Sequence, residues 1–339
     1  MRIVVLMGGD SSEREVSLVS GDQIASALAD NGHDVIKMDP AADRDGQTEL
    51  NKTDLHWIGI DYPDFKEIPP HQGTQYLKNI LIIKRLKTDI VFNALHGGKG
   101  EDGVVQGMLD AAGIRYTGSG RTASTLAMQK DISKEFFRKV NIPTARSAVL
   151  DRPGAALKHV KKLPAPLVVK ANDQGSTIGL YIVNDHSQVK EAAAKAFGFS
   201  SKVLVEEFIP GRELAVTVLK KRVLPIVEIK PKHDLYDYEC KYKSGMSEYF
   251  CPAEMDLQLT QKIQSLALKA HTVLGCKGYS RVDFLLTKDN QPFILELNTL
   301  PGMTPTSLVP KAARAAGINF NELLETIVEE GMKQPYRVI

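Results

Sequence analysis

The sequence predicts an α/β protein of two or three domains, and three stretches carry that expectation. An apolar strand at 2–7 runs into Gly8-Gly9 and then a helix, a second apolar strand at 89–95 runs into a glycine-rich loop, and residues 281–298 read as a β-hairpin. At 339 residues the chain can bury a core in each domain. Lys plus Arg number 43 against 41 Asp plus Glu, a net charge of +2 with no long block of one sign, so no nucleic-acid or acidic-membrane partner is expected. A charged substrate must then be held by a local site. The apolar run at 3–7 is too short for a signal-peptide core and no run approaches membrane-spanning length, which makes the cytoplasm the expected location. Cys240, Cys251 and Cys276 are odd in number and far apart, so neither a disulfide framework nor a zinc site is expected, and Cys276 reads as a small buried side chain.

In chain order, Ser12 and Glu15 have capping-box spacing, and Val16, Val19, Ile24 and Leu28 continue a helical apolar stripe. Glu13 is left to complement the helix dipole or to face a ligand above the glycine turn. Gly-x-Gly-x-x-Gly is absent, so no nicotinamide fingerprint is read. Residues 41–87 are polar and irregular, with a short helix expected near Tyr76. The strand at 89–95 ends in His96-Gly-Gly-Lys-Gly-Glu-Asp-Gly103, at the strand end where open α/β sheets bind ligands. His96 is a candidate contact or a satisfied structural histidine. The break at 116–120 ends the first domain, and a helical segment follows, with Leu126, Ile132, Phe136, Phe137 and Val140 as its apolar positions and Pro143 closing it. Lys130 within it would on its own be a solvated charge.

Residues 166–170 form a buried-type strand ending in Lys170, followed by Ala-Asn-Asp-Gln-Gly-Ser-Thr-Ile-Gly179. That loop suits phosphates, because glycines let backbone N–H groups approach an anion while Ser176, Thr177 and Lys170 add donors and charge, although a plain turn would look similar. It lacks the Gly-Lys-Ser/Thr of Walker A. Strands at 203–209 and 212–219 carry Glu206, Glu207 and Glu213, which could line a base and ribose or stand as ordinary strand glutamates. Residues 232–247, dense in Tyr, Lys and Asp, read as a lid or as antiparallel strand. An amphipathic helix at 258–274 precedes the hairpin; after it, Thr306 can cap a helix beginning Ser307-Leu308, whose free N–H groups suit a carboxylate. A last helix carries Phe320, Leu323, Leu324, Ile327 and Val328 at core-facing spacing.

The hairpin holds the most specific chemistry. With Asp289-Asn290 as a two-residue turn, Asp283 falls opposite Glu296, and alternation adds Arg281 and Asn298 to the same face. Opposed carboxylates destabilise a strand pair unless something positive lies between them. Two carboxylates and an amide are hard oxygen ligands suited to Mg²⁺ or Mn²⁺, the metal carrying substrate phosphates in its other positions, although for any one of these residues a solvated polar face on an edge hairpin would read the same.

Five motifs together resemble the D-alanine:D-alanine ligase family of ATP-grasp enzymes: Gly-Gly-Asp-Ser-Ser-Glu-Arg-Glu-Val-Ser (8–17), Ala-Leu-His-Gly-Gly-Lys-Gly-Glu-Asp-Gly (94–103), Gly-Ser-Thr-Ile-Gly (175–179), Arg-Val-Asp (281–283) and Glu-Leu-Asn-Thr-Leu-Pro-Gly-Met-Thr (296–304). They span nearly the whole chain except 41–87. The resemblance implies a three-domain ATP-grasp architecture with a Rossmann-like N-terminal domain at 1–120, a central subdomain at 121–209 and a C-terminal catalytic domain at 210–339. It implies ATP-dependent joining of two D-alanine molecules through an acyl phosphate, for peptidoglycan precursors, with two Mg²⁺ or Mn²⁺ ions on Asp283, Glu296 and Asn298 and a homodimeric assembly. ATP would be held by Lys130, Lys170, Ser176, Glu206, Glu207, Phe208, Ile209, Glu213, Lys241 and Leu295. Glu13, with His96 nearby, would hold the first ammonium, Ser307 and Leu308 the second carboxylate, and Arg281 and the Gly302 N–H the oxyanion. Glu13, Ser176 and Tyr242 would form a hydrogen-bonded trio, and a tyrosine at 242 goes with an amine acceptor rather than D-lactate. The remaining alternatives are a ligase using D-lactate or D-serine as acceptor, and a non-catalytic ATP-binding module.

Overall fold

The computed structural model describes residues 1–42, 73–232 and 246–334. The expected lid, with Lys241 and Tyr242, therefore lies outside the described residues except at its two ends, as do Cys240 and the stretch 43–72.

Three sheets organise the chain. The first is built from β1 (Arg2–Leu6), α1 (Arg14–Asp30), β2 (Asp34–Met38), α2 (Gly73–Arg85), β3 (Ile90–Asn93), α3 (Gly98–Glu101) and α4 (Val104–Ala112). Its strands are parallel in the order β2-β1-β3, and β1 and β3 are buried almost throughout, as continuous apolar runs in a covered parallel sheet should be. Sequence reading passes over β2 because Asp34 and Lys37 interrupt its apolar run. The expected capping box is not formed: α1 begins one residue later than Ser12 requires, Glu13 is its N-cap, and the Glu13 N–H donates to Ser11 Oγ at 3.1 Å. Near Tyr76 the short helix expected is a full 13-residue α2, with Tyr76 buried beneath it.

A central antiparallel sheet, ordered β4-β7-β5-β6, follows two helices. Its elements are α5 (Arg121–Met128), α6 (Lys130–Lys139), β4 (Ser147–Leu150), β5 (Leu167–Ala171), β6 (Leu180–Val183), α7 (Val189–Ala196) and β7 (Val203–Glu207). The single helical segment expected before Pro143 is thus two, separated by the extended backbone of Gln129. Helix α7 covers one face of this sheet through Val189, Ala192, Ala193 and Ala196.

The third sheet, β11-β10-β8-β12-β13 with β9 beside β8, comprises β8 (Arg212–Leu219), β9 (Arg222–Val223), β10 (Val227–Pro231), β11 (Ser247–Phe250), β12 (Tyr279–Leu286) and β13 (Pro292–Asn298). Helices α8 (Leu257–Val273), α9 (Leu308–Ala315) and α10 (Phe320–Met332) accompany it. The β12–β13 hairpin pairs Asp283 with Glu296 and Arg281 with Asn298, as expected, but by a different route. Its loop has three residues, Lys288 to Asn290, with Asn290 left-handed at φ 58°, and Thr287 pairs with Gln291. A β-bulge then restores the register: Phe284 pairs with Ile294 and Asp283 with Glu296, so Leu295 is the extra residue. Ile294 and Leu297 enter the core while Leu295 and Glu296 both line a cavity, which strict alternation would not allow.

The last helix does not pack only on its neighbours in sequence. Leu323, Leu324, Ile327 and Val328 of α10 join one buried cluster with Ile3, Val5, Ile90 and Phe92 of the first sheet. Among the described residues no helix is long and apolar enough to cross a membrane.

Candidate active site

The opposed carboxylates of the hairpin are each matched by a cation. Arg281 Nε and Nη2 donate to the two oxygens of Asp283, both at 2.8 Å, and Asn298 Nδ2 donates to Asp283 Oδ2 at 3.0 Å. From α6, Lys130 Nζ lies 3.2 Å from Glu296 Oε2 and also donates to the Gln174 carbonyl at 2.7 Å. Charge balance is what lets two acids face each other across a sheet. Among the described residues no three His, Cys, Asp or Glu side chains cluster as a metal group. The hairpin offers two carboxylates and an amide whose nitrogen, not its carbonyl oxygen, is committed to Asp283. An all-oxygen set of this kind fits a hard divalent cation that keeps other positions for phosphate oxygens.

One cavity opens on the face of the central sheet opposite α7. Lys130, Lys170, Ser176, Phe208, Ile209 and Glu213 line it, with Glu206, Glu207 and the bulge residue Leu295. Glu206 is buried between two ammonium groups, Lys134 at 2.8 Å and Lys170 at 2.9 Å. Burial alone would raise its pKa, but the charges of Lys134 and then Lys170 outweigh that and hold it down at about 2. Lys134 is itself pushed down to about 8, first by burial, despite the attraction of Glu206. Two ammonium groups thus share one carboxylate, leaving a buried excess of positive charge that suits an anion. Glu207 is tied to Arg146, whose Nε donates at 2.8 Å. Lys134 was missed by sequence reading. Its signal is the spacing Lys130-x-x-x-Lys134, which puts both lysines on one face of α6.

A second cavity is lined by Glu13, His96, Arg281, Gly302, Ser307 and Leu308, together with Glu101 and with Val16 and Val19 from the cavity side of α1. Ser176 Oγ donates to Glu13 Oε1 at 2.5 Å, tying the loop at 171–179 to the first helix. Two glycines make room for that carboxylate: a Cβ on Gly97 would lie 2.8 Å, and one on Gly175 3.0 Å, from Glu13 Oε2. Ser176 and Thr177 both have left-handed backbones, at φ 51° and 65°, a conformation that costs a β-branched residue energy and recurs at functional loops. His96 is buried, its Nδ1 3.1 Å from the Leu300 carbonyl oxygen and its Nε2 3.2 Å from Ser20 Oγ. A carbonyl only accepts, so Nδ1 carries the proton and Nε2 accepts from the serine; burial lowers the histidine's pKa and keeps it neutral. Glu101, another residue missed within its motif, is pushed up to about 7, first by burial and then by the charge of Glu13. The helix cap here is Ser307 rather than Thr306: α9 starts at Leu308, and Ser307 Oγ accepts the Thr304 N–H at 3.1 Å.

The two cavities share Gly175, Ser176 and Glu296. All described candidate residues therefore fall on two adjoining cavities or on the hairpin wall between them. Lys241 and Tyr242 lie outside the described residues.

Comparison with known proteins agrees over the whole chain. The family model described as D-ala D-ala ligase N-terminus matches residues 2–119, and that described as D-ala D-ala ligase C-terminus matches 136–329. The chain is 41% identical to the D-alanine–D-alanine ligase of Halalkalibacterium halodurans, over 98% of this chain and 100% of the relative. It is 40% identical to that of a Synechococcus species, over 98% and 94%. Among solved structures, the Bacillus anthracis D-alanine–D-alanine ligase complexed with ATP aligns with a TM-score of 0.77 at 32% identity, over 98% of each chain. A further crystal structure of that enzyme aligns at 0.79 and 33%, again over 98% of each.

Proposed function

The chain belongs to the D-alanine–D-alanine ligase family, and from that premise we infer how its own residues divide the work. It is an ATP-grasp ligase that joins two D-alanine molecules at the expense of ATP, a step of peptidoglycan synthesis. The observation that carries the residue assignment is the junction of the two cavities at Glu296 and Ser176. A phosphoryl group must pass from nucleotide to amino acid, and this junction is where the two would meet.

In the proposed sequence the carboxylate of the first D-alanine attacks the γ-phosphorus, the bond to the β-phosphate oxygen breaks, and ADP leaves. The amine of the second D-alanine, having lost a proton, then attacks the acyl carbon; phosphate departs with the former carboxylate oxygen. Lys130 and Lys170 neutralise the phosphates, Glu13 holds the first ammonium, and the Ser307-Leu308 helix start receives the second carboxylate. Arg281 and the Gly302 N–H face the oxygen that becomes negative in the second step. Lys134 and Arg146 bind the carboxylates of Glu206 and Glu207, Glu213 of the same cavity is assigned to the ribose, and the bulge side chain Leu295 packs on the base. Asp283, Glu296 and Asn298 would hold Mg²⁺ or Mn²⁺, two ions in all, which would supply charge neutralisation to the β- and γ-phosphates.

The same reading includes three units at 1–120, 121–209 and 210–339, each supplying one sheet. It includes a cytoplasmic location, where the nucleotide is available, and a homodimer, to which the exposed Leu77 and Leu81 on one face of α2 lend support. Tyr242 and Lys241 are assigned to the acceptor and nucleotide sides of the lid through the family resemblance.

The experiment that tests the reading is product analysis with ATP, Mg²⁺ and D-alanine as the only amino acid. ADP, phosphate and D-alanyl-D-alanine should appear in equal amounts. ADP release without dipeptide would move the acceptor to another D-amino or D-hydroxy acid, and nucleotide binding without turnover would leave a binding module.

A further inference from the structure

Lys130 and Lys170 line the nucleotide cavity, whereas Lys134, one turn along α6 from Lys130, does not reach it and has a side chain only 1% exposed. Its link to the cavity is Glu206. Lys134 Nζ lies 2.8 Å from Glu206 Oε1 and Lys170 Nζ lies 2.9 Å from Glu206 Oε2, so each carboxylate oxygen faces a different ammonium. Lys134 is also held from behind: its Nζ donates to Thr144 Oγ1 at 2.6 Å, and that hydroxyl donates to the Ile294 carbonyl at 3.1 Å. The Ile294 N–H in turn donates to the Pro143 carbonyl at 2.8 Å. Ile294 directly precedes the bulge residue Leu295, so Lys134 is pinned to the β12–β13 hairpin and does not follow Lys170 if that side chain moves. A buried carboxylate is balanced by one cation. A second, inaccessible ammonium costs desolvation, which shows in Lys134 being pushed down to about 8, first by burial, and the fold gains no charge balance from it.

We propose that Lys134 is a positioning residue for ATP: by engaging one oxygen of Glu206 it keeps the Lys170 ammonium available to the nucleotide phosphates. The proposal rests on the reading above that Lys170 neutralises those phosphates. With both lysines in place, two positive charges face one negative, and the surplus is offered to the cavity. Without Lys134, Glu206 and Lys170 form a neutral buried pair, which low-dielectric surroundings tighten, and a phosphate must compete with a carboxylate already seated on the ammonium. Glu206 does not relieve this by taking up a proton: burial would raise its pKa, but Lys134 and then Lys170 hold it down at about 2. Lys134 thus acts on the nucleotide only through Glu206 and Lys170.

The test is steady-state kinetics on the full enzyme with Mg²⁺, ATP and D-alanine, comparing wild type, Lys134→Met and the double variant Lys134→Met/Glu206→Gln. In Lys134→Met the KM for ATP should rise about tenfold or more while the KM values for D-alanine stay within about twofold, because Glu206 then neutralises Lys170 undivided. Adding Glu206→Gln removes the carboxylate that holds Lys170 back, and should return the KM for ATP most of the way to wild type. A purely structural role predicts the opposite order, with the double variant worse than the single because a further buried partner is lost. That order, or an unchanged KM for ATP in Lys134→Met, would overturn the proposal. Should Lys134→Met fail to fold, Lys134→Gln, which keeps a hydrogen-bonding head without the charge, takes its place under the same two expectations. Absence of dipeptide from the wild-type enzyme would instead sink the functional reading on which the proposal stands.

Discussion

Glu296 shows how a single residue changes meaning once its neighbours are known. From sequence, the Asp283–Glu296 pair looks like uncompensated repulsion, so neutralising one acid should stabilise the metal-free fold. The structure reverses that sign, because Lys130, 8% exposed at its side chain, lies 3.2 Å from Glu296, and Arg281 grips Asp283. Glu296→Gln should therefore cost roughly 1–3 kcal/mol by stranding a buried ammonium, and should also raise the Mg²⁺ concentration for half-maximal activity about tenfold or more. Denaturant melts without metal, beside a Mg²⁺ titration of activity, check both parts. A variant more stable than wild type would refute the charge-balance account, and an unchanged Mg²⁺ titration would remove Glu296 from the metal site.

At the scale of elements, α8 and β12 are joined through a buried histidine, His271, whose Nδ1 lies 2.7 Å from Ser280 Oγ. Burial pushes its pKa down to about 4 from 6.5. The unfolded chain thus takes up a proton near pH 6.5 that the fold refuses until about pH 4, so stability present above that window is lost as pH falls through it. Wild type should lose about 3 kcal/mol more than His271→Gln between those limits. Parallel loss in both proteins would contradict the histidine's role. The hairpin shows how far elements were legible. Pairing of Asp283 with Glu296 was correct, yet a three-residue loop and a one-residue bulge each departed from the expected geometry and cancelled. The bulge is invisible in sequence because Leu295 reads as an ordinary strand residue; only pairing with β12 makes it the extra one. Likewise β2 was hidden by its charged residues, and the division of α5 from α6 by a glutamine with extended backbone rather than a glycine or proline. The candidate site was more legible than the elements carrying it, since its groups sit in short motifs whose chemistry does not depend on where a helix begins. What sequence could not supply was pairing across the molecule: that Lys134 shares Glu206 and that His96 is spent on Leu300 and Ser20.

Across the whole molecule, the chain's two ends close one core. Helix α10 buries Leu323, Leu324, Ile327 and Val328 against the first sheet, and Asn31 and His33 bond Asn321 and Glu325 at the rim of that contact. Helix α1, which Glu13 caps, is packed through Ile24, Ala25 and Leu28 in the same cluster, while Ser176 ties Glu13 to the loop at 171–179. Ile327→Ala should cost about 2–5 kcal/mol and lower the melting of the N-terminal sheet together with that of the C-terminal part. Calorimetry showing the N-terminal transition unmoved would contradict a shared core. The joined cavities imply one chemical path, from the γ-phosphate to a carboxylate oxygen and then to departing phosphate, and the fate of that oxygen tests it most directly. With D-alanine labelled by heavy oxygen in its carboxylate, the released phosphate should carry one labelled oxygen for each dipeptide formed. Unlabelled phosphate beside labelled dipeptide would mean that the carboxylate never attacked phosphorus, and would contradict the account of the site.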